Sequence, residues 1–395
     1  MPAALLSSLA LGSVELPNRM VASPMQQYMA GRDGMVCDWH LVHLGKLAVG
    51  GFGLVFTEAL AVEPEGRLTY RDLGVWDDFH VSGLSRLAEL MARSGTVPGA
   101  QLIHAGRKAS VAAPYDGFEP LGEKDERERG EAPWPVISAS ALEANPGWPV
   151  PQAIDRDGIK RMLERYAAGT KRCREAGFEV LNIHGAHGYL IHSFLSPLSN
   201  VRDDEYGGDR ANRMRFAIEV ADAVRSEWPA DKPIFYRLSC VDGVEGGWEL
   251  GDTVVLSREL AAHGIDIIDC SSGGLGRRAT PAIIPRELGF QVPYAARVRA
   301  EAGVPTMAVG LILDPHQANE IVEQGHADLV AIGREALYNP NWPLHSAVAL
   351  EGPDAFEERW PPTYGWWLYR RAKALELTRS NQPQRAAPQA AGRAS

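Results

Sequence analysis

The sequence is short of cysteine. It has four in 395 residues, Cys37, Cys173, Cys240 and Cys270, and no two form a C-x-x-C pair. Without clustered thiols an iron–sulfur cluster or a zinc ribbon has no ligand set. Few, scattered thiols also suit a reducing compartment. Long apolar runs are missing too: nothing approaches the roughly 18 to 20 residues of a membrane span. The N-terminus MPAALLSSLALGSVELPNRM lacks the basic start and long apolar stretch of a secretory signal. The chain therefore reads as cytoplasmic, with no membrane among its partners. Positive charge is in deficit, with 40 Lys and Arg against 50 Asp and Glu, a net charge of −10. That balance argues against nucleic acid as a ligand. Finally, no G-x-G-x-x-G follows the first apolar run, so the fingerprint of an open dinucleotide-binding sheet is absent there.

What is present is an ordinary globular composition, 45% hydrophobic and 23% charged. Short apolar runs recur along it: 19–25, 53–59, 99–105, 179–185, 233–239, 265–272, 304–310 and 327–333. Between them, 78–95, 155–177 and 251–264 place apolar residues three and four apart, the period of an amphipathic helix. Gly ends the last two, as expected just past a helix C-terminus. Eight strands alternating with helices fit a closed parallel barrel; an open doubly wound sheet is the competitor that periodicity alone leaves standing. The expected architecture is thus α/β, a single (β/α)8 TIM barrel over residues 1–375 with an N-terminal β-hairpin. Residues 109–152 lack sustained periodicity and read as an insertion on a barrel loop. Their charge run EKDERERGE reads as solvated surface. The last residues, 376–395, have the Gln-, Pro- and Ala-rich composition of a flexible tail.

In such a barrel the chemistry sits at the C-terminal ends of the strands. There the sequence places Pro24, Met25, Gln26 and Tyr28 after the first run, and Gln101, His104 and Lys108 on or after the third. The fourth is followed by His184, His187 and Tyr189 within six residues. The fifth carries Arg237, the seventh ends at Gly310, and the eighth at Gly333 and Arg334. Glycines at the ends of the last two strands let backbone N–H groups approach phosphate oxygens, and Arg334 adds a cation. Glycines that merely end strands are the bland reading. The histidines could ligate a metal, yet no further His or acidic ligand accompanies them closely in sequence. His40 and His43 in DWHLVHL read as packed or surface groups on one helix face. The remaining use of His184 and His187 is as paired hydrogen-bond donors to one oxygen, with Tyr189 as a general acid. A phosphate-anchored cofactor, two donors and one acid suit reduction of a polarised double bond.

At this point a family resemblance appears. IHGAHGYLIHSFLSPLSNVRDDEYGGDRANRMRF (183–216) resembles the signature of the Old Yellow Enzyme family of FMN-dependent ene-reductases. VASPMQQYMA (21–30), TEALAVEPEGR (57–67), QLIHAGRKAS (101–110), IDCSSGG (268–274) and AIGREAL (331–337) fit in order, so the likeness runs from about 14 to 345. The branch it is most similar to is the thermophilic-like one that includes xenobiotic reductases. The resemblance implies non-covalent FMN, reduced by NAD(P)H, and an α,β-unsaturated small-molecule substrate. It implies that Pro24, Met25, Gln26 and Ala59 line the flavin ring, that Gln101 bonds its pyrimidine edge, and that Arg237 lies by N1 and the C2 oxygen. Ser272 and Gly273 fall near the ribityl chain, and Gly310, Gly333 and Arg334 at the phosphate. His184 and His187 would hold the substrate oxygen as hydride leaves flavin N5. Tyr189 would protonate the α-carbon, and Tyr28 would add a hydrogen bond. Family habit points to a homodimer or homotetramer.

Two departures stand out. Gln26 occupies the position where that branch has Cys, which predicts a shifted flavin potential. The C-terminus reads PPTYGWWLYRRAKAL (361–375), more like a xenobiotic-reductase ending, so Trp367 is a candidate wall of the substrate pocket, across a subunit interface. Packing on the outside of the barrel is the plain alternative for both Trp366 and Trp367. The runner-up chemistry on the same fold and cofactor is oxidation of N-methyl amines or reduction of an aromatic acyl-CoA. A metal-dependent barrel hydrolase and a non-catalytic binding barrel are the more distant readings.

Overall fold

A computed structural model describes residues 3–276 and 284–380. The chain opens with the expected hairpin, β1 (Leu9–Leu11) paired antiparallel with β2 (Val14–Leu16). The barrel then begins with β3 (Met20–Ala22) and α1 (Asp38–Val49), followed by β4 (Leu54–Ala61), α2 (His80–Arg93) and β5 (Val97–Ile103). The post-β5 insertion carries α3 (Glu123–Arg129) and the two-residue strands β6 (Ile137–Ser138) and β7 (Gln152–Ala153), which pair with each other. Regular alternation resumes with α4 (Arg156–Glu175), β8 (Val180–Gly185), the short α5 (Leu190–Leu195), α6 (Arg210–Glu227), β9 (Ile234–Ser239), α7 (Leu250–Ala262) and β10 (Ile267–Ser271). It closes with α8 (Val292–Ala302), β11 (Thr306–Val309), α9 (Pro315–Glu323) and β12 (Leu329–Ile332). Four helices end the described part, α10 (Arg334–Tyr338), which directly follows the last strand, α11 (Trp342–Glu351), α12 (Ala355–Arg359) and α13 (Pro362–Ser380).

Strands β3, β4, β5, β8, β9, β10, β11 and β12 form a closed barrel in that order, every pairing parallel. All eight apolar runs thus became strands, and the open sheet is excluded. Each run is largely apolar because both faces are covered, one by helices and one by the barrel interior; all eight residues of β4 are buried. Helix ends follow local chemistry. Asp155 caps α4 by accepting the Gly158 N–H at 2.7 Å, and Gly177 ends it with φ +88°, a left-handed turn that suits glycine.

Two of the three apolar clusters among the described residues frame the barrel. The larger lies between strands and helices. The smaller closes the N-terminal end of the cylinder, where Val14 and Leu16 of the hairpin pack on Leu54, Phe56, Val180, Phe235, Ile267 and Met307.

The structure corrects two expectations about local order. The charge run is exposed along α3, but its last acid, Glu131, is buried, held by Arg129 at 2.9 Å. The tail was expected from 376, yet α13 carries the chain to Ser380; residues 381–395 lie outside the described part.

Candidate functional site

A cavity of about 750 Å³ opens at the C-terminal ends of the strands, within the range of small-molecule and cofactor sites. Pro24 and Met25, just past β3, line it, as do Lys108, His187, Arg237 and Ser272. So do Gly310, Gly333 and Arg334, at the ends of β11 and β12. Residues more than 300 apart in sequence meet here because barrel closure sets β12 against β3. At Gly333 a Cβ would meet nothing within 4 Å, whereas at Gly310 (φ +123°) it would press on Gln291 and Phe290. Glycine is therefore required at the second position for conformation and space.

The histidine segment is built at the end of β8. Burial, then the Arg237 charge, holds His184 well below its ordinary pKa. Burial, then His184 and Arg237, does the same for His187. Both rings are therefore neutral, each with one N–H and one lone pair. The contacts assign the protons. The Ala186 N–H donates to His184 Nδ1 at 3.3 Å, leaving the His184 proton on Nε2. That proton faces His187 Nδ1 at 3.2 Å, and His187 Nε2 in turn faces Ser271 Oγ at 2.7 Å. The two imidazoles are thus in series, not side by side. Only His187 reaches the cavity wall; His184 lies behind it, 6% exposed. The expected pair of parallel donors requires the His184 ring to exchange its His187 contact for one in the cavity.

Tyr189 completes the cluster, its ring edge-on to His184 with centroids 4.9 Å apart and to His187 at 6.4 Å. Burial raises its phenol, followed by the Asp72 carboxylate, so it keeps its proton at neutral pH. The phenol of Tyr28 is likewise raised by burial and then by Tyr189. Tyr28 sits off the main cavity, beside a separate one of about 280 Å³. Its backbone is left-handed, φ +55°, and is held by Tyr115, whose hydroxyl donates to the Tyr28 carbonyl at 2.8 Å.

The remaining expected residues lie beneath or beside the cavity. Gln101 is buried on β5 with its amide nitrogen unpartnered. Gln26 turns its carbonyl oxygen to the Ala59 N–H at 2.7 Å, leaving its own amide nitrogen without a partner. Arg237 donates to Ser23 Oγ at 3.1 Å and lies 3.6 Å from buried Asp269, which Asn182 also contacts at 3.1 Å. Gly273 (φ +64°) donates to the Val241 carbonyl and accepts from Ser239 Oγ, both at 2.7 Å. Trp367 is not brought to the cavity of its own chain: on α13 it is 66% exposed, next to Trp366. His40 and His43 are buried on α1, as packed groups. No group of three or more candidate metal ligands occurs among the described residues.

Sequence reading passed over Ser271, Gln291 and Asp269. Ser271 adjoins the noted Ser272 and takes the His187 contact; Gln291 accepts from Ser272 Oγ at 2.6 Å and donates to the Val309 carbonyl at 3.0 Å. Nothing in a linear motif couples these positions.

Residues 4–351 match the NADH:flavin oxidoreductase / NADH oxidase family. The chain belongs to that family. It is 42% identical over 350 residues to an NADPH dehydrogenase of Geobacillus thermodenitrificans, covering 87% of this chain and 95% of that protein. It is 38% identical over 361 residues to an NADPH dehydrogenase of Bacillus subtilis, covering 90% and 99%. Among solved structures, morphinone reductase aligns with TM-score 0.72 at 24% identity, over 88% of this chain and 90% of that one. A 2-naphthoyl-CoA reductase aligns with TM-score 0.79 at 23% identity, over 90% and 53%. These two show a shared fold. The Old Yellow Enzyme resemblance therefore holds, and this NADH:flavin oxidoreductase family member is an enzyme whose cofactor is FMN and whose reductant is NAD(P)H. The residues fit such a cofactor. The unpartnered Gln101 amide and the Arg237 guanidinium offer hydrogen bonds to a polar ring edge, and Gly310, Gly333 and Arg334 face the cavity as a phosphate cradle would. No helix of the described residues is long and apolar enough to cross a membrane.

Proposed function

We propose that this oxidoreductase reduces the C=C bond of α,β-unsaturated carbonyl compounds at the expense of NAD(P)H. The observation that carries the reading is the His187–His184–Tyr189 cluster. Neutral donors and a protonated phenol meet within one ring contact of each other, with His187 at the cavity wall. Bound FMN supplies the hydride.

The side chains supply the rest. Pro24, Met25, Gln26 and Ala59 form the wall for the ring, and Gln101 and Arg237 bind its polar edge. A fixed cation there favours an anionic reduced cofactor. Ser272 and Gly273 flank the ribityl chain, and Gly310, Gly333 and Arg334 hold the phosphate. His187 donates its Nε2 proton to the substrate oxygen in place of Ser271, and His184 adds its own. These donors draw charge from the alkene as it builds on oxygen. Tyr189, its pKa raised by burial, delivers a proton to the α-carbon. Tyr28 and, from a neighbouring subunit of a homodimer or homotetramer, Trp367 border the substrate. The exposed Tyr364, Trp366 and Trp367 of α13 support such an association.

The test is an anaerobic titration. The yellow protein is bleached with NADPH or NADH, then offered 2-cyclohexenone, maleimide or nitro compounds. Rapid return of colour with the enones, and product reduced at C=C, is expected. Colour that returns only with other acceptors rejects the enone assignment. The alternative, amine oxidation, predicts bleaching by an N-methyl amine with no nicotinamide present.

A further inference from the structure

The loop that carries His187 is held from below by a buried pair with no part in the chemistry above. His187 (φ +59°) and Gly188 (φ +75°) are consecutive left-handed residues, an arrangement that a non-glycine residue adopts only at a cost of about 1 kcal/mol or more. Gly188 has no alternative residue type: a Cβ there would stand 2.6 Å from the Gly274 carbonyl oxygen and 2.7 Å from that of Leu275. The backbone groups of this turn cannot join a strand ladder, so side chains take them. The His187 N–H donates to Ser239 Oγ at 2.9 Å, and Lys108 Nζ donates to the His187 carbonyl at 2.8 Å. The Gly188 N–H donates to His192 Nδ1 at 2.8 Å.

His192, on α5, is wholly buried. With Nδ1 accepting, its proton sits on Nε2, which lies 2.9 Å from Asp242 Oδ1 in a short but bent contact. The other carboxylate oxygen accepts from Ser196 Oγ at 2.6 Å and from the Trp248 N–H at 2.7 Å. Burial alone would push the Asp242 carboxyl up; His192, Ser196 and the Trp248 N–H together hold it below its ordinary value. A carboxylate at Oδ1 can only accept, and so it dictates which imidazole nitrogen carries the proton. Reversing that tautomer would set two N–H groups against each other at Gly188.

We propose that His192 and Asp242 are positioning residues for His187: the Asp242 carboxylate fixes the His192 tautomer, which anchors the left-handed turn that aims the His187 ring into the cavity. The inference rests on the reading of His187 as a substrate-binding donor. It concerns residues without any assigned role: His192 lies in the sequence motif, five positions beyond His187, but does not line the cavity, and Asp242 lies outside the motif.

The test is a double-mutant cycle. His192→Leu and Asp242→Asn, each alone and each combined with His187→Ala, are assayed with 2-cyclohexenone, with bound FMN and Tm measured for every variant. Each single change is expected to lower kcat/KM by about 10- to 100-fold, the scale of a displaced catalytic group. In the His187→Ala background the same changes should cost under about threefold, because residues acting through one another are non-additive. His192→Asn, whose side-chain oxygen can still accept the Gly188 N–H, should recover to within about fivefold of the wild type. Multiplicative losses, or no rescue by Asn, show a merely structural pair and overturn the proposal. Should His192→Leu not fold, the near-isosteric Asp242→Asn carries the cycle alone. If His187→Ala itself leaves turnover unchanged, the substrate-binding reading of His187 fails first, and that outcome is separate from additivity.

Discussion

The two ends of the barrel are made from the same eight strands and could hardly differ more. At the N-terminal end Val14 and Leu16 of the hairpin stop the cylinder with an apolar plug, in which Phe56 and Phe235 meet edge-on at 5.7 Å. At the C-terminal end Gln26, Gln101, Asn182, Arg237 and Asp269 all keep a buried polar atom without a partner, and His187 and Tyr28 hold left-handed backbone. The lower end is closed by apolar packing, whereas the upper end offers polar groups, among them the Gln101 amide and the Arg237 guanidinium, to the cofactor proposed there. The difference teaches where each kind of substitution should be felt: catalysis above, stability below.

Tyr189→Phe should show the largest effect. Loss of the acid is expected to slow the enone half-reaction by about 10²- to 10⁴-fold, measured by stopped-flow reoxidation, with FMN content and Tm unchanged. A fall in Tm instead would place the phenol with the structural groups and erase the contrast. Phe56→Ala is its mirror image. Truncating this buried ring should destabilise by about 3–5 kcal/mol, read from denaturant unfolding, while kcat at 25 °C of the folded enzyme stays the same. A drop in kcat would show that the plug and the site are not separable.

The pH response sharpens the same contrast. Because burial holds the folded-state pKa of His184 and His187 well below 6.5, both rings are neutral above that pH in folded and unfolded chains alike. The donors then need no titration to work, and kcat/KM for an enone should be flat from about pH 6.5 to 8. Below 6.5 the unfolded chain takes up protons that the folded site refuses, so these two groups make stability fall as pH falls. Asp72, pushed up to about 6 by burial, acts in the opposite sense, since it gains a proton in the fold first. An inflection in kcat/KM near 6.5 would mean that at least one imidazole is not desolvated as the geometry requires.

Much of this was legible in the sequence, for identifiable reasons. Parallel strands buried on both faces read as unbroken apolar runs, so the barrel could be counted off from residues 19 to 333. Strand-end chemistry could be located because barrels concentrate it there. Pro24, Met25, Arg237, Ser272, Gly310, Gly333 and Arg334 do share one cavity. What escaped were relations across the chain. The series His184–His187–Ser271 joins positions 84 apart, and His192–Asp242 joins positions 50 apart on different loops; no local pattern encodes either. Trp367 lies on an exposed helix, away from the cavity of its own chain.

The smallest expected effect concerns Gln26, where the sequence departs from its branch. Its carbonyl oxygen occupies the Ala59 N–H at 2.7 Å, and its amide nitrogen is the unpartnered donor. In Gln26→Cys the Ala59 N–H is freed and the amide donor is lost, so one hydrogen-bond donor is exchanged for another at the wall proposed for the flavin. A hydrogen bond is worth about 1 kcal/mol net, which for a two-electron couple corresponds to roughly 20 mV. The potential measured by dye equilibration should therefore move by that order, while kcat with excess NADPH changes little. Identical potentials in the two proteins would mean that the side chain at 26 does not reach the ring.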